Sequence, residues 1–133
     1  RNSIFVMAYS SIALSPDGGG SWNLSHTLPR QLAAELMLLG ERISAERLHA
    51  LGSVNRLVES GTALTQALDL AERINARAPN AMQSIKELIN DAPTQSLHVH
   101  LTQERDHFVK NLHHANAGLG ISAFLNKEKP RFE

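Results

Sequence analysis

The sequence predicts an α/β chain that is mostly helical and carries one or two short strands. Three observations support this class. Apolar residues recur at helical spacing in several segments after the first thirty residues. Glycine and proline divide the chain into pieces of helix length, and two short runs are rich in β-forming residues. Two such strands form a marginal sheet alone, so we expect the chain to be part of a larger protein.

Composition narrows the possible functions. A chain of 133 residues can bury a core, and its 13 basic and 13 acidic side chains balance. This balance argues against binding to nucleic acid or to an anionic membrane. The chain has no cysteine, which excludes a disulfide framework and fits a cytoplasmic location. No apolar run approaches a membrane span, and the first residue is not Met, which again suggests the interior of a longer protein.

The first forty residues predict a strand, a turn and two helical segments. The run Ile4–Tyr9 reads as a buried strand. After a glycine-rich turn, residues 21–39 are predicted to be helical, with an interruption before Pro29. Leu32, Leu36 and Leu39 share one helical face, which should pack inward. Gly40 then provides a natural helix end.

The next segment predicts a short helix and a second strand. Ser44 is placed to cap a helix that continues through Ala50. Gly52 ends this helix. The apolar run Val54–Val58 then predicts the second strand.

The second half predicts helices throughout. Apolar faces recur over residues 62–79 and 80–93, with Asn80 as a cap for the second of these helices. A long helix should begin near Leu97 and carry an apolar stripe. We expect Ala117–Gly120 to break it, and a final helix to cover residues 121–128.

The stretch from Leu14 to Trp22 is the best candidate for a site. It combines one carboxylate, Asp17, with three consecutive glycines and the single tryptophan of the chain. Glycines allow backbone or ligand to approach closely, and the following helix N-terminus favours an ionised Asp17. Such a carboxylate can take a proton from a carbon acid. The alternative is an ordinary turn with an Asp cap.

Four stretches of the chain resemble the enoyl-CoA hydratase/isomerase, or crotonase, family. They are FVMAYSSIALSPDGG at 5–19, GERISAE at 40–46, LGSVNRLV at 51–58 and GISAFLNKEKPRF at 120–132. The resemblance runs in one order over the whole chain and matches the C-terminal half of such an enzyme. It implies a crotonase fold, with residues 1–60 ending the spiral core and 61–133 forming a helical region for trimerisation and CoA contacts.

The resemblance also implies a chemistry. Family members act on acyl-CoA thioesters through an enolate-like anion, which two backbone N–H groups from the other half stabilise. The position of the hydratases' second acid is Tyr9 here, which cannot act as a carboxylate. The isomerase branch instead uses an acid in the glycine-rich turn, matching Asp17. Gly18, Gly19 and Trp22 would contact the substrate, although Trp22 could equally be a core aromatic.

The tail carries the positions that match the family's CoA contacts. Phe108, Phe124 and Lys127 correspond to residues that touch the adenine and phosphate end of CoA, often from a neighbouring subunit. An ammonium suits a phosphate, and aromatic rings suit adenine. The alternatives are a core position for Phe108 and a solvated surface charge for Lys127. CoA is part of the substrate, so no separate cofactor is expected.

The histidines of the predicted long helix form a further pattern, and it does not predict a metal site. His100, His107 and His114 share one helical face, but a spacing of seven residues is too long for one tetrahedral ion. We therefore expect no metal site and interpret this face as a subunit contact. The leading prediction is an acyl-CoA isomerase with Asp17 as the proton shuttle, assembled as a homotrimer or hexamer. The alternatives are an enoyl-CoA hydratase and a non-catalytic oligomerisation fragment.

Overall fold

The structure, a computed structural model, describes residues 2–132, and its chain divides into two compact units. The first unit extends to Gln66 and the second begins at Ala67. The strands are β1 (Ile4–Val6) and β2 (Arg42–Ser44). The α-helices are α1 (Gly20–Thr27), α2 (Arg30–Leu39), α3 (Ala45–Ala50), α4 (Ala63–Asn75), α5 (Pro79–Asp91), α6 (Leu97–Leu112) and α7 (Ala115–Leu125). Short 3-10 helices cover Ala8–Ile12 and Ala92–Thr94.

The sheet of the first unit pairs β1 with β2 in antiparallel register, with Phe5 opposite Ile43. The predicted first strand is real but ends at Val6, because the chain then turns into the 3-10 helix Ala8–Ile12. Its side chains are exposed, so the expectation of a buried strand was wrong. Both strands of a two-stranded sheet are edge strands, and such a small sheet buries little surface. Here Ile43 is the buried member.

The second predicted strand was misplaced. The run Val54–Val58 is irregular and not a strand, and β2 lies twelve positions earlier, at Arg42–Ser44. A tight turn closes α3 instead. The amide of Ser53 donates to Leu48, and the carbonyl of Val54 lies 2.7 Å from His49 Nδ1. This turn places Val54 against the core without pairing it to a strand.

The core of the first unit forms where α2 meets β2 and α3. The predicted inward face of α2 is confirmed at Leu32 and Leu36, whereas Leu39 in the last turn is exposed. Gly40 ends α2 in the left-handed conformation, as predicted. The buried cluster consists of Leu28, Leu32, Ala33, Leu36, Ile43 and Leu48. The Ser44 cap is also confirmed, since its hydroxyl accepts the Arg47 amide at 3.2 Å.

The second unit packs α5 against α6, and α6 against α7. Its buried residues among those described are Ser84, Asn116 and Ala123, so its interior is largely polar. The predicted apolar faces do not form a core here. The exposed side chains include Leu68, Ile85, Ile89, Leu97, Leu101, Phe108 and Leu112. The apolar periodicity therefore identified the helices correctly and overestimated their burial within this chain.

An amide network joins three segments inside the second unit. Asn116 donates to Asn80 Oδ1 at 2.9 Å, and Asn80 donates to Asn111 Oδ1 at 2.7 Å. Asn111 then donates to the Ser84 hydroxyl at 2.9 Å. Asn80 was expected to cap α5, but α5 begins one residue earlier, at Pro79. This frees the Asn80 side chain for the network.

The break between α6 and α7 falls earlier than predicted. It lies at His113–His114, where His114 Nδ1 accepts the Asn116 amide at 3.1 Å and caps α7. The predicted break at Ala117–Gly120 lies within α7 instead. Gly120 allows close packing there, since a Cβ at this position would lie 3.4 Å from the Phe132 ring. Among the described residues, no helix has both the length and the apolarity needed to cross a bilayer.

Candidate functional site

The glycine-rich turn is closed by its own backbone. Gly18 and Gly19 both have positive φ, at 56° and 82°, and Gly19 forms the N-cap of α1. The Gly20 amide donates to the Asp17 carbonyl at 2.9 Å, and the Asn23 side-chain amide donates to the Gly19 carbonyl at 2.9 Å. These left-handed positions favour glycine strongly, so the turn has a defined shape. It holds Asp17 two residues before the N-cap.

Asp17 is paired with Tyr9. The Tyr9 hydroxyl donates to Asp17 Oδ1 across 2.7 Å, a length typical of a hydrogen bond to a charged oxygen. This hydrogen bond, followed by the negative charge of the Asp17 carboxylate, raises the pKa of the Tyr9 phenol above its usual value. A phenol is protonated at neutral pH, so Tyr9 is the hydrogen-bond donor of this pair. Asp17 is exposed, which leaves Oδ2 accessible to a ligand.

An apolar cleft of about 320 Å³ lies beside this turn. It is bounded by β1, the start of α1 and the core, and its lining consists of Phe5, Val6, Met7, Gly20, Asn23, Leu24, Leu36, Glu41, Ile43 and Leu48. A Cβ on Gly20 would approach Met7 Cε to 2.8 Å, so this wall is built around a glycine. Buried Leu36, Ile43 and Leu48 fix one side of the cleft.

The hydrogen-bonded residues Tyr9 and Asp17 lie close in sequence to two residues that line the cleft. Tyr9 follows the lining residue Met7 by two positions, and Asp17 precedes the lining residue Gly20 by three. Among the lining residues, Glu41 supplies the one carboxylate. An apolar cleft with a few polar groups at its edge is typical of a small-molecule site. The lining suits the apolar part of a ligand.

The other predicted substrate contacts lie outside the cleft lining. Trp22 is 58% exposed, and its ring stacks on His26 with centroids 4.1 Å apart. The alternative that Trp22 is a core aromatic was therefore wrong. Gly18 and Gly19 shape the turn, whereas Gly20 contacts the cleft. Substrate contacts by Gly18, Gly19 and Trp22 stay predictions.

The predicted CoA contacts lie on the second unit. Phe108 on α6 is 67% exposed and Phe124 on α7 is 81% exposed, so a core position for Phe108 was wrong. Phe108 also lines a cavity of about 410 Å³ beside the asparagine network. Lys127 follows α7 with φ of 56°. All three side chains are accessible, as contact with a ligand requires.

Lys127 occupies a helix-ending position that normally favours glycine. The amides of Lys127 and Glu128 donate to the carbonyls of Phe124 and Ala123, at 3.2 and 2.8 Å, in the Schellman pattern. The residue after the helix cap is left-handed in this motif, and a side chain there costs about 1–2 kcal/mol. A lysine therefore stands where the backbone alone would prefer glycine.

The histidine face does not form a metal cluster. His100 Nε2 lies 3.6 Å from Glu104, and His107 Nε2 lies 3.7 Å from Glu87 on α5. His114 caps α7 instead. Within residues 2–132, no group of three or more His, Cys, Asp or Glu side chains is arranged to hold a metal ion.

Sequence reasoning missed two features of the candidate site. The sequence indicates only that Tyr9 is not a carboxylate, whereas in the structure its hydroxyl is the partner of Asp17. Glu41 lies in the stretch GERISAE, where its position predicts no role, yet it lines the cleft. The signal for Tyr9 is weak in the sequence, because a separation of eight residues implies no contact without the intervening turn.

Comparison with known proteins identifies relatives over the whole chain. The family model for enoyl-CoA hydratase/isomerase matches residues 1–133. A 1,2-epoxyphenylacetyl-CoA isomerase from Escherichia coli K12 is 37% identical over 132 residues, covering 99% of this chain and 50% of the relative. A 2,3-dehydroadipyl-CoA hydratase from the same organism is 30% identical over 133 residues, covering 100% and 52%.

Solved structures show the same fold. An enoyl-CoA hydratase from Polaromonas sp. JS666 superposes with a TM-score of 0.96 at 59% identity, covering 98% of this chain and 51% of that one. Enoyl-CoA hydratase EchA1 from Mycobacterium marinum gives 0.94 at 37% identity, covering 100% and 55%. The fold predicted from the sequence is confirmed, and the chain spans about half the length of the relatives it matches.

Proposed function

Because this chain belongs to the enoyl-CoA hydratase/isomerase family, we propose that the whole protein isomerises an acyl-CoA thioester, with Asp17 as the proton shuttle. The hydrogen bond between Tyr9 and Asp17 is the observation that carries this proposal. One oxygen of the carboxylate is held and the side chain is exposed, and Gly20, three residues further along the chain, lines an apolar cleft. One carboxylate in such a place can remove a proton and return it elsewhere.

The proposed reaction moves a double bond without adding water. Asp17 Oδ2 removes a proton from a carbon of the acyl chain, and the C–H electrons shift toward the thioester to form an enolate. The same carboxylate returns the proton to a different carbon, so no atom is gained or lost overall. The donors that stabilise the enolate oxygen would come from outside this chain.

The nature of Tyr9 supports isomerisation over hydration. Water addition requires a base that activates water and an acid that protonates carbon. A tyrosine hydroxyl is already protonated at neutral pH, and the hydrogen bond to Asp17 raises its pKa further, so Tyr9 does not supply the base. The similarity to a 1,2-epoxyphenylacetyl-CoA isomerase is compatible with isomerisation.

The CoA moiety would bind through Phe108, Phe124 and Lys127. Their exposure, and the retention of Lys127 in a strained conformation, support this assignment. CoA would arrive as part of the substrate, and we propose no additional cofactor. The exposed apolar stripe of α6 supports assembly as a homotrimer or hexamer. A cytoplasmic location completes the proposal.

Hydration of an enoyl-CoA is the second candidate, and Glu41 favours it. Glu41 lines the cleft and would give the site a second carboxylate in addition to Asp17. A hydratase with two acids could use one to activate water and the other to protonate carbon. The similarity to a dehydroadipyl-CoA hydratase is compatible with this role.

The test is Asp17→Asn in the full-length protein, assayed on 3-enoyl-CoA and 2-enoyl-CoA. We expect the isomerisation rate to fall about 10²- to 10⁴-fold, the usual contribution of a positioned proton-transfer group. Glu35→Gln, an exposed carboxylate on α2, is the matched control and should leave the rate unchanged. Full isomerisation by the Asn variant would exclude Asp17.

The same assay separates the alternatives. The hydratase would be favoured if the wild type hydrates 2-enoyl-CoA without isomerising 3-enoyl-CoA. In that case Glu41→Gln should abolish the hydration. An absence of turnover on both substrates, together with self-association, would favour a non-catalytic oligomerisation role.

A further inference from the structure

We infer that Tyr9 is a positioning residue, whose hydroxyl fixes the Asp17 carboxylate so that Oδ2 is presented for proton transfer. This inference rests on the proposed function and goes beyond it, since Tyr9 would act through Asp17 without touching the substrate. The 2.7 Å hydrogen bond engages Oδ1 alone. A carboxylate held through one oxygen keeps a defined orientation, whereas a free Asp side chain rotates among several rotamers.

The backbone holds both partners in place before the side chains meet. The Leu14 amide donates to the Tyr9 carbonyl at 3.0 Å, which folds the chain back after the 3-10 helix Ala8–Ile12. On the other side, the Gly20 amide donates to the Asp17 carbonyl at 2.9 Å. Little further conformational freedom is lost when the side chains bond.

The connection between the partners contains a strained residue. Ala13 follows the 3-10 helix with φ of 57°, in the left-handed region that a non-glycine residue rarely adopts. The Ala13 amide donates to the carbonyl of Ser10 in this helix, and the Leu14 amide donates to the carbonyl of Tyr9. Strained backbone persists where the surrounding structure requires it. Here it completes the reversal that returns the chain toward Tyr9.

The hydroxyl, and not the ring, is the part that this role requires. Tyr9 is half-buried and its phenol oxygen reaches an exposed carboxylate. The raised pKa of Tyr9 agrees with a donor that stays protonated through the neutral range. Removing the hydroxyl alone should therefore affect the step in which Asp17 moves a proton, and leave acyl-CoA binding largely unchanged.

The experiment compares four forms of the full-length protein on 3-enoyl-CoA: wild type, Tyr9→Phe, Tyr9→4-aminophenylalanine and Ser10→Ala. We expect Tyr9→Phe to lower kcat about tenfold to a hundredfold, with KM changed less than about twofold. The amino group restores an N–H donor at the same place, so it should recover most of the loss. Ser10→Ala, an exposed neighbour in the same 3-10 helix, should match the wild type.

The outcomes separate this inference from the proposed function. If Tyr9→Phe keeps the full kcat while Asp17→Asn is inactive, the inference is overturned and the proposed function is retained. An equal loss in the phenylalanine and aminophenylalanine variants also overturns it, because the hydroxyl position would then be irrelevant. Full isomerisation by Asp17→Asn, or none by the wild type, overturns both.

Discussion

The Tyr9 hydroxyl and Asp17 Oδ1 lie 2.7 Å apart, in a hydrogen bond that joins two residues eight positions apart in the chain. The sequence gives the two residues separate meanings. Tyr9 is a position that lacks the acid of the hydratases, and Asp17 is the acid in the glycine-rich turn. In the structure they form one hydrogen-bonded pair, in which the phenol donates and the carboxylate accepts. This relationship leads directly to a measurable effect of pH.

The pKa of Tyr9 should fall toward its usual value in Asp17→Asn. The pKa is raised by the hydrogen bond to the Asp17 carboxylate and then by its charge. Since the folded-state pKa exceeds the unfolded one, the bond stabilises the fold fully below the ordinary phenol pKa. That stabilisation is lost as pH rises through the folded-state value. The pKa of Tyr9 is measured by ultraviolet titration of the phenolate, with the titration of Tyr9→Phe subtracted. Glu41→Gln is the control, and an unchanged pKa in Asp17→Asn would contradict the pairing.

Gly19→Ala should destabilise the protein more than Gly18→Ala. Both positions have positive φ, which costs a side chain about 1–2 kcal/mol. A Cβ on Gly19 would also lie 3.2 Å from Asn23 Nδ2, whereas one on Gly18 meets nothing within 4 Å. Urea unfolding measures the difference in free energy. As a control, Gly118→Ala in α7 has open space and should stabilise by about 0.5–1 kcal/mol. A larger loss at Gly18 would refute this ranking.

Lys127→Gly should raise stability and weaken CoA binding at the same time. Glycine relieves the left-handed strain at this helix end, a gain of about 1 kcal/mol. The lost ammonium removes a phosphate contact if Lys127 binds CoA. Thermal unfolding and CoA titration of the full-length protein measure the two effects. Ala13→Gly is the matched control, since it relieves similar strain and should leave CoA affinity unchanged. Unchanged CoA affinity in Lys127→Gly would remove Lys127 from the CoA site.

Asn111→Ala should destabilise the second unit by about 1–3 kcal/mol, because Asn80 loses its acceptor and the Ser84 hydroxyl loses a donor. Buried polar groups without partners carry this cost even where the deleted side chain is small. Chemical unfolding gives the free energy. Asn90→Ala, at an exposed position of α5, corrects for the higher helix propensity of alanine. Equal effects of the two changes would show that the network contributes little.

Gly20→Ala should alter substrate binding more than stability. The new Cβ would meet Met7 Cε at 2.8 Å, and this end of a flexible side chain can move while the backbone stays in place. The displaced methyl narrows the cleft, so we expect KM for a bulky acyl-CoA to rise about tenfold. Adding Met7→Ala to the same protein should restore it. A rise in KM that persists in the double variant would place the effect outside this cleft.

Local sequence signals were enough for much of the first unit. The inward face at Leu32 and Leu36, the helix end at Gly40 and the cap at Ser44 are each determined within about four residues. Helical periodicity and capping act over that range, so these features follow from the sequence directly. The family resemblance was likewise sufficient for the fold, because its motifs run through the whole chain in order.

The sequence by itself determined that the chain is mostly helical, the helix end at Gly40, the cap at Ser44 and the family of the chain. Tertiary structure alone decided that Ile43 pairs with Phe5, that Asn80 joins a buried network and that Tyr9 binds Asp17. The contact between Tyr9 and Asp17 depends on how the turn at Ala13 redirects the chain. The composition of the intervening residues carries little information about such reversals. A site formed by two returning segments is therefore visible only when the path between them is known.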